Sequence, residues 1–368
     1  MRALTSCALS AKLVQALETQ WRWQVDAVDS VNRAAAELSE ADRSSVRAIL
    51  VEAEPVTAAL MDALPNLEVI VAMRSEPVNV DIAAASARAL PVIHTPGRNA
   101  ESVADFTLGL TLAMLRSIAV THHMIMSGDL TRADSRPHEV GRPVDVIWRP
   151  DDPAEPIPYV AYKGRELSSL VIGVVGYGAV GKAVARRFRL LVREVMVVDP
   201  DVPEDEVIAA GFTPADLTSM LPRADVVTVH ARSASVIIGA AELALMRPGS
   251  YLINTARATV LDYEALVRAL HDGGLRGAAL DVFPEEPLPQ TSPLLSAPHL
   301  TLTPHLAGAT EEVSGRMNDI ALQALSDIYH RADWTGVAVR NRQVQQAWTR
   351  ALRSSHTAQS ESEEAVGQ

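Results

Sequence analysis

The chain has 368 residues, 48% of them apolar, and a formal net charge of −12 with a sequence pI near 5.3. A chain this long exceeds one hydrophobic core, so two domains are expected, and the acidic balance argues against a nucleic-acid or anionic membrane surface, whose phosphates need clustered Lys and Arg. The lone Cys7 permits neither an internal disulfide nor a cysteine-based metal site within one chain, and residues 1–20 mix Ser, Lys, Gln and Glu into their apolar positions, unlike a secretion signal. The expectation is a cytoplasmic protein with no nucleic-acid or membrane partner.

From 1 to about 98, apolar runs rich in Val and Ile (47–52, 67–73, 91–95) alternate with helix-like stretches such as 10–20 and 80–90, which reads as βα units around a parallel sheet. Trp21 and Trp23 fit a strand edge or a packing contact. Asn99 can cap a long helix running from Ala100 to about Met126, with Glu101 in its first turn. Its most apolar part, 106–120, contains Thr107, Gly109, Thr111, Arg116 and Ser117 and is too short to span a bilayer, so a buried helix is expected. His122 and His123 lie near its end, about 100° apart on the helix, which is a poor geometry for a shared metal. No metal site is expected.

Between 128 and 169 the pattern gives way to a polar stretch with prolines at 137, 143, 150, 153, 156 and 158, an arm suited to subunit contact or active-site cover. A second βα series follows, with strands expected at 170–175, 194–198, 225–230, 251–256, 277–283 and 300–303; six strands match a two-halved dinucleotide-binding sheet. The run 311–329 places Met317, Ile320, Ala324, Leu325 and Ile328 at helical spacing, as if the chain returned to the first domain. Residues 354–368, rich in Ser, Glu and Gln, have almost nothing to bury and read as a disordered tail.

Gly176, Gly178 and Gly181 form Gly-x-Gly-x-x-Gly directly after an apolar strand and at the opening of a helix. The first glycine suits a tight turn, the second lets the backbone approach a pyrophosphate, and the third allows close helix–strand contact. The following strand ends in Asp199, and 199 − 176 = 23, near the spacing of about 20 for a ribose-binding carboxylate. A carboxylate there repels a 2′-phosphate, and Pro200 and Asp201 bring no cation, so NAD is expected in preference to NADP.

Arg257, Glu286 and His305 each follow an expected strand, and strand carboxyl ends are where such sheets bind ligands. Proton transfer to or from a carbonyl oxygen near neutral pH suits histidine, a nearby carboxylate orients the ring, and an arginine fork suits a carboxylate or a developing oxyanion. Asp281, inside the apolar run GAALDVF, is either paired structurally or in contact with the nicotinamide amide; the latter is expected.

At TPGRNAESVADFTLGL (95–110), GVVGYGAVG (173–181), LMRPGSYLINTARATVLD (245–262), GAALDVFPEEPLP (277–289) and LTPHLAGAT (302–310), the chain resembles the D-isomer-specific 2-hydroxyacid dehydrogenases over nearly its whole length. The resemblance implies that Arg257 binds a 2-keto acid, that His305 is the acid/base, and that Glu286 is its paired carboxylate; the glutamine of formate dehydrogenases is absent. It also implies a Rossmann-type doubly wound sheet inserted into a flavodoxin-like α/β substrate domain, here 121–307 (with the arm at 128–169) inserted into 1–120 plus 308–345, and a homodimer. Expected cofactor contacts are Gly176, Gly178, Ala179, Val180, Gly181, Asp199, His230, Ala231, Ala256, Asp281 and His305. Expected substrate contacts are Ser75, Glu76, Asn99 and Arg257.

The chain departs from the family pattern in three places. Met73, Arg74, Ser75, Glu76 and Pro77 replace a glycine-containing loop that holds the substrate carboxylate, Ala258 replaces the glycine after the arginine, and the stretch from His230 to Glu242 is shortened. His230, Ala231, Arg232 and PVNVD at 77–81 resemble a less characterised branch. Two other functions fit the same scaffold: an NADH-sensing corepressor-like interaction protein, and a dehydrogenase of a sugar-derived acid whose hydroxyls Ser75 and Glu76 would meet.

Overall fold

A computed structural model describes residues 1–131, 157–331 and 333–352. The chain divides into two units, one formed by Met1–Asn99 with Thr310–Gln368 and the other by Ala100–Ala309.

The first unit holds a parallel five-stranded sheet of β1 (Arg2–Thr5), β2 (Gln24–Ala27), β3 (Val46–Val51), β4 (Val69–Ala72) and β5 (Val92–Ile93), in the order β2-β1-β3-β4-β5. Its central strands are apolar on both faces, as parallel strands covered by helices must be. The two-residue period shows in the packing: Ala48 and Leu50 of β3 join Leu13, Leu17 and Met317, whereas Ile49 and Val51 join Val31, Leu60 and Ala85 on the other face. Ser10, Ser30, Ser39, Thr57 and Asp81 each accept a backbone N–H at the start of the next helix, satisfying donors that a helix terminus leaves open. Helix Glu311–His330 closes one face as expected, with Met317, Ala324, Leu325 and Ile328 buried; Ala321 is buried in that row and Ile320 only partly so. Trp21, Trp23 and Trp348 surround Tyr329, and Trp334 meets Trp348, so the tryptophan pair near the N-terminus packs against the returning chain.

The second unit holds β6 (Val171–Val175), β7 (Glu194–Val198), β8 (Thr213–Pro214), β9 (Val226–Val229), β10 (Ser250–Asn254), β11 (Leu275–Leu280) and β12 (Leu300–Leu302), parallel throughout and ordered β12-β11-β10-β9-β6-β7-β8. This is the doubly wound dinucleotide-binding order with β12 added at one edge. Six strands were expected; the seventh is β8, whose two residues include Pro214 and leave no alternating pattern to read.

Two further expectations are corrected. The helix expected over 100–126 is two helices, Ala100–Leu115 and Ile118–Ser127, bent by 65° where Ser117 adopts φ 55°. No single helix among the described residues is long and apolar enough to cross a membrane. The first of the two is buried as expected, but the second buries no residue, and Ile118, Val120, Ile125 and Met126 are exposed. The unit boundary falls at Ala100 rather than at 120, because Ala100, Ala104, Leu110 and Leu115 share a core with Leu170, Ile172 and Phe188; the second boundary is at Thr310 rather than 308. Most of the proline-rich arm and the tail at 354–368 lie outside the described residues. Pro158 opens the short helix Pro158–Ala161, where a missing N–H costs nothing.

Candidate active site

The chain makes a strand, a turn and a helix over 171–188, and each motif glycine has a separate reason. Gly176 sits at φ +93°, and a Cβ there would lie 2.7 Å from both the Ala231 Cα and the His230 carbonyl carbon, so only glycine lets β6 pass that close to the end of β9. A Cβ on Gly181 would strike the Gly176 carbonyl oxygen, while Gly178, the N-cap of helix Ala179–Phe188, faces open space. An open cradle before a helix N-terminus fits a pyrophosphate. Asp199 follows β7 and accepts hydrogen bonds from the Tyr177 amide (2.6 Å) and the Asp201 amide (3.0 Å), so the acidic strand end and the glycine turn are joined.

Adjacent strand ends carry the ionisable groups. Asn254, the fully buried last residue of β10, accepts from the Ala256 amide at 3.0 Å and donates to the Arg257 carbonyl at 2.9 Å, fixing the turn that bears Arg257. The Arg257 side chain is exposed, donates to the Ala256 carbonyl at 2.6 Å, and its charge acts on Glu286. Beyond β11, Tyr263 donates its hydroxyl proton to the Val282 carbonyl at 2.6 Å and steadies the loop that leads to Glu286.

Glu286 accepts from the Phe283 amide at 2.9 Å through one oxygen and meets His305 Nδ1 at 2.7 Å through the other. Burial would raise its carboxyl, but the bonds from His305 and Phe283 and the nearby positive charge outweigh that and hold it below the usual carboxylate value. An ionised Glu286 can only accept, so Nδ1 carries the proton and Nε2 is the nitrogen left to exchange one with a ligand.

Asp281 has the structural pairing that was the alternative to the nicotinamide contact expected of it. It is completely buried, with Oδ1 accepting from Thr303 Oγ1 (2.6 Å) and the Leu306 amide (2.9 Å) and Oδ2 from the Ala307 amide (2.8 Å). The structural pairing is therefore present. His230 is buried at the end of β9, bonded through Nε2 to Thr228 Oγ1 at 2.9 Å, and its Nδ1 has no partner among the described residues. Burial pushes the ring down to about 3, so it stays neutral.

Ala179 and Val180 open the cradle helix, and Ala231 and Ala256 follow β9 and β10. Arg257, Glu286, His305 and the glycine turn thus lie within one unit, at the carboxyl edge of one sheet. Ser75, Glu76 and Asn99 lie in the other unit. There the loop after β4 is tied to the segment after β5, because His94 Nδ1 donates to the Ser75 carbonyl at 2.9 Å and the Thr95 amide to the Arg74 carbonyl at 2.7 Å. Sequence reasoning missed Asn254, Tyr263, Thr303 and His94. Asn254 could have been found by the signal that marked Asp281, a polar residue ending an apolar strand run.

The family model for the D-isomer specific 2-hydroxyacid dehydrogenase NAD binding domain matches residues 157–307. A glyoxylate reductase of Thermofilum pendens is 35% identical over 276 residues, 74% of this chain and 75% of that protein. Among solved structures, the TT0316 protein of Thermus thermophilus is 28% identical with a TM-score of 0.65, covering 89% of this chain and 96% of that one. The NADPH-dependent glyoxylate/hydroxypyruvate reductase SMc04462 of Sinorhizobium meliloti, in complex with NADP and malonate, is 26% identical with a TM-score of 0.61, covering 90% and 94%.

Proposed function

This chain belongs to the D-isomer specific 2-hydroxyacid dehydrogenase family, and from that premise we propose that it interconverts a small 2-keto acid and the D-2-hydroxy acid with NAD as cofactor. The observation that carries the reading is the Glu286–His305 pair, 2.7 Å apart, on the same sheet edge as Arg257 and the glycine cradle. A bound nicotinamide supplies the two-electron chemistry at the substrate's C2. Gly176, Gly178, Ala179, Val180, Gly181 and Asp199 would hold its dinucleotide, with His230, Ala231 and Ala256 at the neighbouring strand ends.

In the reducing direction His305 gives its Nε2 proton to the carbonyl oxygen as that oxygen becomes a hydroxyl, and in the oxidising direction it takes the proton back. Glu286 holds the Nδ1–H tautomer and stabilises the imidazolium form. Arg257 binds the substrate carboxylate with a planar fork. Relatives that reduce glyoxylate or hydroxypyruvate make these the first acids to try. A panel of 2-keto acids and sugar-derived acids, read by NADH consumption, tests the reading; turnover on none, with NADH still bound, would favour the NADH-sensing alternative.

For the cofactor, Asp199, Asp201, Glu204, Asp205 and Glu206 crowd carboxylates just beyond β7, which opposes a 2′-phosphate. Calorimetry is expected to give NADH the tighter binding by about 10-fold or more; equal or reversed affinities contradict the role given to Asp199. We further infer a cytoplasmic homodimer, with the exposed apolar helix Ile118–Ser127 as part of its contact.

A further inference from the structure

We propose that Asp281 is the positioning residue of the His305 turn, holding the backbone on both sides of the histidine so that its imidazole meets Glu286. This rests on the reading of His305 as the acid/base. His305 has φ 56°, in the left-handed region that a residue with a side chain rarely adopts. Such a conformation persists only where neighbours fix it. On the N-terminal side Thr303 bonds to Asp281 through its hydroxyl, and its amide donates to the Leu280 carbonyl at 3.0 Å. On the C-terminal side the Leu306 and Ala307 amides both donate to the same carboxylate. Within the turn the His305 amide donates to the Thr303 carbonyl at 3.0 Å.

The chemistry explains why the residue is an aspartate. All three donors are neutral, and a fully buried carboxylate meets them with two oxygens that only accept. An asparagine has one such oxygen and would set its NH2 against a backbone N–H. Because Asp281 directly follows β11, the end of a paired sheet strand sets where His305 stands, although His305 itself is half-exposed on a loop.

The test uses the full-length Asp281→Asn and Thr303→Val variants, with Thr303→Ser as the conservative control. Three readouts are needed: the His305 ring signals in 15N-histidine-labelled, ligand-free protein across a pH titration, kcat and KM for the best keto acid, and the NADH Kd. The expected result is a His305 ring that no longer reports the Glu286 bond in Asp281→Asn, kcat lowered about 10–100-fold, and an NADH Kd changed less than about 3-fold. Thr303→Val should fall between wild type and Asp281→Asn, and Thr303→Ser should match wild type; if Asp281→Asn does not fold, this pair decides alone. Unchanged His305 signals, or a loss expressed in NADH affinity with kcat intact, would overturn the proposal. A displaced ring with undiminished turnover would uphold it and instead refute His305 as the acid/base.

Discussion

Asn254, Asp281 and Asp199 share one arrangement, in which a polar residue at a strand's carboxyl end directs its side chain to the loop that carries the functional group. For Asn254 and Asp281, which are fully buried, the cost of burial is offset by hydrogen bonding. His230, at the end of β9, differs in that its Nδ1 has no partner among the described residues, and it carries a pH prediction. Its folded-state value of about 3 lies below the ordinary 6.5, so between those limits the unfolded chain takes up a proton that the folded chain refuses. Stability should therefore fall as pH drops below about 6.5. Urea midpoints at pH 7.5 and 5.5 should show this loss, and His230→Gln should reduce the difference; an unchanged difference would remove His230 from that role. The positions of Arg257, Glu286, His305 and Asp199 beyond strand ends were legible in the sequence because those strands are marked by apolar runs. The partners of Asp281 were not, because they depend on how two loops 22 to 26 residues apart meet.

The strand, turn and helix over 171–188 separate folding from ligand binding at neighbouring positions. Gly178→Ala adds a methyl to open space and should leave the melting temperature within about 2 °C, yet weaken NADH binding about 10-fold or more, as measured by calorimetry. Gly176→Ala forces a side chain onto the Ala231 backbone at positive φ and should cost stability, about 2 kcal/mol or more in denaturant unfolding. Equal effects of the two changes would contradict the division. Element types followed from periodicity, whereas the break at Ser117 did not, since neither Gly nor Pro marks it and the apolar pattern runs through the bend. The two-residue β8 was likewise invisible, being held by pairing to β7 rather than by its own pattern.

At the scale of the whole molecule, the unit Ala100–Ala309, which contains the residues 157–307 matched by the NAD binding domain model, interrupts in sequence the two segments that form the other unit. The proposed homodimer has a direct check in light scattering. Replacing Ile118 and Met126, exposed on the helix after the bend, with Asp should lower the particle mass by about half, from dimer to monomer; an unchanged dimer would place the contact elsewhere. In the proposed reaction His305, held by Glu286, moves the proton while Arg257 holds the acid. Steady-state NADH consumption on the best 2-keto acid by wild type and His305→Ala tests this. The expected result is kcat lowered about 100- to 10,000-fold with NADH affinity retained; a variant that turns over as fast as wild type would rule out His305 as the acid/base.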